Sequence, residues 1–230
     1  MADTADCRLA LASLPDVEAR LPGPGTAWLT AAEDLRLQAI SAALRRRQYL
    51  AGHWLLRMMA SESHGGAATD WRFASDEDPR PRLRHDDGRL LWASLSHSGE
   101  HLAAAIAPAP VGIDLERPRK PRDYVAIARF LFSPEEADQV EAAEQGSGRE
   151  RVFHRYWALK EARGKRSGEG LQPSQARRVS ARPADRARAE AWHWTFADGA
   201  CVALAAWPGV SPTLGAGVAP DGAWQYADAD

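Results

Sequence analysis

Asp114 and Glu116 stand two residues apart in Val111-Gly-Ile-Asp-Leu-Glu. On a strand that spacing turns both carboxylates to one face and leaves Ile113 and Leu115 on the other. Two carboxylates so placed repel unless a cation or basic groups lie between them. Oxygen-only ligands suit Mg²⁺, which keeps some of its water and commonly shares substrate phosphates. The competing reading is a solvated strand end paired with Arg117 and Arg119. A second set lies in Phe-His-Arg-Tyr-Trp-Ala-Leu-Lys-Glu-Ala-Arg-Gly-Lys-Arg-Ser-Gly-Glu-Gly-Leu, residues 153–171. There Trp157, Glu161 and Lys165 recur every fourth residue and so share one helical stripe, with Lys160 beside them. Gly168 and Gly170 follow, where a helix stops and a tight loop begins. An ordinary surface helix with an ion pair would show the same spacing. Two things count against that. The stripe mixes a Trp with charges, and two of the three lysines in the chain fall in it, although Lys and Arg together number 29.

Leu95-Ser-His97-Ser supplies a third set. A hydrogen-bonding or protonated His97, with hydroxyls from Ser96 and Ser98, can hold a phosphate oxygen; a polar turn is the alternative. A Ser–His nucleophilic relay is excluded, because neighbouring residues on a strand point to opposite faces. Arg45-Arg46-Arg47 and Pro79-Arg80-Pro81-Arg82 are each no more than basic surface when taken singly. Together they could supply charge to a ligand carrying several phosphates.

The elements that must position these residues repeat. At an offset of 103, Thr30 matches Ser133 and Glu33 matches Glu136, both pairs reading as Ser/Thr-x-x-Glu helix starts. In the same register Arg46 matches Arg149, Leu50 Phe153, Trp54 Trp157, Leu56 Leu159, and Arg57 Lys160. Further on, residues 99–108 parallel residues 199–208 at an offset of 100. Each copy predicts a capped helix, a longer amphipathic helix, a loop and a β-hairpin. The hairpins fall at residues 92–96 with 101–107, and at 192–196 with 201–207. The fold expected is α+β: two similar α/β halves about a pseudo-twofold axis, each with a long helix on a small antiparallel sheet. Residues 1–116 form the first half, ending on the 111–116 strand. Residues 117–122 are a basic, proline-rich linker, residues 123–210 the second half, and residues 211–230 one edge strand and a loose acidic tail. A cleft between two such halves is a natural ligand site.

Composition bounds the rest. A chain of 230 residues, 45% hydrophobic and 26% charged, has ample core and is not disordered. A net charge of −2 offers no global field for nucleic acid or membrane. The apolar runs are too short to span a bilayer, and the acidic start lacks the order of a signal peptide. Two cysteines, Cys7 and Cys201, make neither a metal cage nor a disulfide framework. The expectation is a cytoplasmic protein without nucleic-acid or membrane partners.

In that order and at that separation, residues 95–98, 111–116 and 153–171 resemble the 4′-phosphopantetheinyl transferases. The likeness is to the long pseudo-dimeric class that activates surfactin synthetase and similar assembly lines. The family pattern G-x-D-x-E, followed about forty residues later by W-x-x-K-E-[AS]-x-x-K-x-x-G-x-G-L, is met at every fixed position. The resemblance spans roughly residues 30–206. It implies Mg²⁺-dependent transfer of phosphopantetheine from coenzyme A to a serine of an apo acyl or peptidyl carrier protein, with Mn²⁺ as a possible metal; two fused halves make a monomer sufficient. Carried over residue by residue, Asp114, Glu116 and Glu161 become the metal carboxylates and Glu161 the candidate base. Lys165 becomes the group that neutralises or protonates the leaving phosphate, and His97, with Ser96 beside it, a phosphate contact. Lys160, also on that helix, joins the coenzyme A contacts. Arg80 stands where the family often has the lysine of Gly-Lys-Pro. Glu33 and Arg36 occupy the stretch where some members place lysines, so Arg45 and Arg46 substitute as 3′-phosphate contacts. The competing expectation is a non-catalytic module that binds coenzyme A or a carrier.

Overall fold

The computed structural model describes residues 7–74, 78–118, 122–215 and 217–229. Residues 119–121 of the expected linker, Lys120 among them, lie outside the described residues, as do residues 1–6. The elements run β1 (Arg8–Ser13), α1 (Leu14–Glu18), α2 (Ala31–Gln38), α3 (Ala43–His64), β2 (Trp71–Phe73), β3 (Arg82–His85), β4 (Leu90–Ser98) and β5 (His101–Ala107). They continue β6 (Gly112–Glu116), α4 (Tyr124–Leu131), α5 (Pro134–Ala142), α6 (Ser147–Ser167), α7 (Pro173–Ala176), β7 (Val179–Pro183), β8 (Ala191–Thr195), β9 (Cys201–Ala205) and β10 (Gly222–Asp228).

Two five-stranded sheets form, ordered β1-β5-β4-β3-β2 and β6-β9-β8-β10-β7. Their strand pairs are antiparallel. Alternation along the central strands sorts side chains into layers. On β5, Leu102, Ala104 and Ile106 pack under α3 with Leu55, Leu56 and Met59. The intervening Ala103 and Ala105 face the second sheet, meeting Ile113, Leu115, Trp192, Trp194, Val202 and Leu204. On β9, Cys201, Ala203 and Ala205 turn outward to α6 and its Ala158, Leu159 and Ala162. The molecule is therefore four layers, helix–sheet–sheet–helix, with small residues on the strands where large ones face them.

The repeat is present in the local structure. Thr30 and Ser133 each cap a helix by a reciprocal box with Glu33 and Glu136. Both box glutamates are then ion-paired from the long helix, Glu33 by Arg57 and Glu136 by Lys160, each at 2.7 Å and nearly fully buried. Arg46 donates to the carbonyls of Leu37 and Ile40 at the end of α2. Its counterpart Arg149 does the same to Glu141 and Ala143 at the end of α5. The polar landmarks that held register are thus groups that satisfy helix ends.

Two boundaries differ from the sequence expectation. The 111–116 strand does not close the first half: β6 pairs with β9 and opens the second sheet. Offset by 103 it coincides with β1, so the repeat unit begins one strand earlier than its helices suggested. The end of the chain is not a loose edge either, since β10 lies between β8 and β7 inside the second sheet. Its Trp224 buries against Tyr156 and donates Nε1–H to His193 at 2.9 Å.

Candidate active site

β6 is the edge strand of its sheet and runs against α6. Gly112 makes that approach possible, because a Cβ there would lie 1.9 Å from the Ala162 carbonyl oxygen. The next residue on the same face is Asp114, only 4% exposed. Its Oδ1 accepts from Lys165 Nζ at 2.7 Å and from the Ser96 hydroxyl at 2.9 Å. Its Oδ2 is buried without a hydrogen-bond partner. Lys165 also donates to the Ile113 carbonyl at 3.0 Å, and the Ile113 amide donates to Ser94 Oγ at 2.9 Å. The open edge of β6 is thereby met at Ile113 by a lysine of its own half and a serine of the other, while Ser96 holds the Asp114 side chain.

Glu161 is one helical turn before Lys165. Burial, and then the charge of Asp114, push its carboxyl above the ordinary range against the opposing pull of Lys165. Glu116 follows Asp114 on the same face and lines a small hollow with Trp157, Arg117, Arg122 and Tyr124. The described residues contain no group of three His, Cys, Asp or Glu side chains already drawn together for a metal. They nevertheless fit a divalent cation. A buried carboxylate oxygen lacks a partner, a second carboxyl is electrostatically strained by the first, and the donors are hard oxygens. Added positive charge would relieve both.

On the Lys165 side opens a cleft of about 610 Å³ between the halves. Arg36, Arg45, Tyr49 and His53 line it from the helices of the first half, Ser94 and Leu95 from its sheet, Arg80 from the segment before β3, and Lys165 and Gly168 from the second half. Burial, and after it the nearby Arg36, lower the Arg45 guanidinium below its usual value. Two such cations held close suit an anionic ligand, although Glu33 and Asp78 line the same cleft. Arg80 is clamped by Asp78 through paired bonds of 2.9 and 2.7 Å and lies 4.4 Å over the Trp92 ring. Its stem rests on Gly168, whose positive φ of 83° ends α6. Tyr49, His53 and Phe73 stack along the cleft with centroids 3.9 and 4.3 Å apart. Glu33 anchors His53 at 2.7 Å. Burial raises the Glu33 carboxyl, but the hydrogen bonds of His53 and Arg57 outweigh it and bring it to about 2.

The structure thus brings Asp114, Glu161, Lys165 and Ser96 together and sets Arg45 and Arg80 on the adjoining cleft. His97 shares the strand face of Leu95 and is turned away from Ser96, and it is not among the residues that line the cleft. Two expected coenzyme A contacts lie elsewhere. Lys160 is buried, with Nζ given to Glu136, Ala176 O and Val179 O. Arg46 is spent on the end of α2. Both face inward because they are repeat partners of Arg57 and Arg149, whose work is structural. The Ser96 hydroxyl is buried on Asp114 rather than turned to the cleft. The sequence reading did not single out Tyr49 and His53. Their i,i+4 spacing on α3 beside Arg45 was the available signal. In the first half the positions matching Asp114, Glu116, Glu161 and Lys165 are Leu11, Ser13, Met58 and Glu62, so among the described residues the constellation occurs once.

Comparison with known proteins finds relatives of one kind. The family model described as the 4′-phosphopantetheinyl transferase superfamily matches residues 110–205. That stretch holds β6 and α6. A putative 4′-phosphopantetheinyl transferase of Synechocystis sp. is 25% identical over 150 residues, 64% of this chain and 61% of that protein. A 4′-phosphopantetheinyl transferase of Bacillus subtilis is 30% identical over 150 residues, covering 60% of this chain and 65% of the relative. The 4′-phosphopantetheinyl transferase Sfp of Bacillus subtilis is 30% identical over 122 residues, 53% of this chain and 52% of Sfp. The matches therefore span less than two thirds of these relatives. It is through the segment that carries β6 and α6 that the chain is similar to the 4′-phosphopantetheinyl transferases.

Proposed function

We propose that the protein transfers the 4′-phosphopantetheine group of coenzyme A to a serine hydroxyl of an apo acyl or peptidyl carrier protein. It would act with Mg²⁺, which Mn²⁺ can replace, as a cytoplasmic monomer. The observation that carries this reading is the partnerless buried Oδ2 of Asp114, held beside Lys165, which lines a cleft together with Arg36, Arg45 and Arg80. Fusion of two halves into one chain supports a monomer. Among the described residues no helix is long and apolar enough to cross a membrane.

In this reading the adenosine and phosphate end of coenzyme A lies in the cleft, where Arg36, Arg45 and Arg80 meet its charge and His97 approaches from β4. Asp114, Glu161 and Glu116 would hold the metal, which supplies charge neutralisation at the pyrophosphate and so lowers its repulsion of an incoming oxygen. Lys165, already fixed by Ile113 O and Asp114, neutralises or protonates the departing phosphate oxygen of adenosine 3′,5′-bisphosphate. Glu161 takes the proton of the carrier serine, directly or through water. Its raised pKa favours that role, whereas a nearby cation opposes it. The carrier approaches from the Glu116 side, where Arg117, Arg122 and Trp157 border the hollow and suit an acidic, partly apolar surface.

The test is the intact mass of apo carrier proteins of fatty-acid, polyketide and nonribosomal-peptide type after incubation with the protein, coenzyme A and Mg²⁺. The expected result is a gain of one phosphopantetheine group that EDTA abolishes. Coenzyme A binding with no gain on any carrier would replace this reading by that of a non-catalytic binding module.

A further inference from the structure

We infer that Ser96 is a positioning residue, which sets the carboxylate of Asp114 so that Oδ2 alone points at the cation. The inference rests on the functional reading above and departs from it in giving this serine no phosphate to hold. Ser96 sits on β4 in the first half, and Asp114 on β6 in the second. The serine is 7% exposed and its hydroxyl reaches Asp114 Oδ1 at 2.9 Å. Lys165 Nζ takes the same oxygen at 2.7 Å. Two donors converging on Oδ1 from different directions fix the torsion of the carboxylate. The unpartnered oxygen is then always Oδ2. One donor alone would leave that torsion softer.

Ser94, on the same face of β4, holds the backbone one residue away by accepting from Ile113 N at 2.9 Å. The two serines therefore register strand and side chain together. They also tie the first half to the metal carboxylate, although that half carries none of the four charged residues itself. A hydrogen bond of this kind behind a ligand typically changes metal affinity by about 10- to 100-fold.

The experiment separates metal from coenzyme A. Mn²⁺ is titrated into the protein–coenzyme A complex and followed by electron paramagnetic resonance; coenzyme A is titrated calorimetrically into the protein in EDTA. Ser96→Ala is expected to weaken Mn²⁺ binding by about 10- to 100-fold and to leave coenzyme A affinity in EDTA at the wild-type value. That unchanged affinity also shows that the variant is folded. Ser96→Cys keeps the shape with a weaker donor and is expected to fall between Ser96→Ala and wild type. Wild-type Mn²⁺ affinity in Ser96→Ala, or a loss of coenzyme A affinity in EDTA instead, would overturn the inference and make the serine a phosphate contact. Wild-type protein that takes up no Mn²⁺ in the complex would overturn the functional reading and this inference with it.

Discussion

At the scale of the residue, burial decides which charges are free to do chemistry. Asp114 and Glu136 are both buried carboxylates next to a lysine, yet they differ in what remains unsatisfied. Glu136 accepts from Lys160, Ser133 and the Ala181 amide. Asp114 keeps one oxygen bare. Asp114→Asn should therefore cut transfer by roughly 10²–10³-fold, because the cation loses a charged ligand worth several kcal/mol. Rates measured in EDTA-treated buffer resupplied with Mg²⁺ check this, and a near-wild-type rate would remove Asp114 from the metal set. Lys160→Met should act on folding instead. Breaking a buried pair by removing one partner costs about 3–5 kcal/mol, so urea unfolding should shift by that order. The coenzyme A affinity of the folded variant should match wild type; a weakened affinity would return Lys160 to the cleft.

At the scale of the element, helix ends and strand pairing carry the stability. Thr30→Ala removes one cap and should cost about 1 kcal/mol. Ser133→Ala should cost more, toward about 2 kcal/mol, because Ser133 is fully buried and also accepts from Ser180 Oγ at 2.9 Å. Equal effects in a denaturant series would show that burial adds nothing to the second cap. In the second sheet, burial and then the Arg155 charge lower His193 from 6.5 to about 4. A histidine depressed in the folded state is neutral in both states above its unfolded value. Below it, the unfolded chain binds the proton first. Stability should thus be complete above about pH 6.5 and decline toward pH 4, at up to roughly 1.4 kcal/mol per pH unit. His193→Gln should flatten that part of the stability–pH curve; an unchanged slope would assign the acid sensitivity elsewhere. Capped helices were readable beforehand because caps are local and repeat at a constant offset. β10 was not, because its Gly/Pro/Ala-rich approach resembles a tail until β7 and β8 are seen to leave a place between them.

At the scale of the whole molecule, the two halves are one folding unit. Trp192 and Trp194 are each 1% exposed and sit in the layer between the sheets. A chain cut in the 108–111 connection should leave each half with an exposed apolar sheet face. Separately produced halves are then expected to aggregate or bind a hydrophobic dye, and co-expressed halves to recover one soluble complex. Independently folded, monomeric halves would contradict the four-layer core. The junction also explains why a duplicated fold has one site. Leu11, Ser13, Met58 and Glu62 fill the equivalent positions in the first half, so only the second presents carboxylates and lysine together.

Chemistry that depends on short spacing was decided by the sequence alone. Asp114 with Glu116 follows from a two-residue strand period, Glu161 with Lys165 from a helical turn, and the duplicated caps from a constant offset. Those relations are set by backbone geometry and need no knowledge of what packs outside. Contacts across the fold were decided only by the tertiary structure. It turned Lys160 and Arg46 inward to satisfy helix ends, placed Tyr49 and His53 on the cleft, moved β6 into the second sheet and brought Ser96 to Asp114. The physical reason is that the direction of a long basic side chain, or the partner of a buried hydroxyl, depends on which polar groups packing leaves unsatisfied. That demand exists only after the layers have closed.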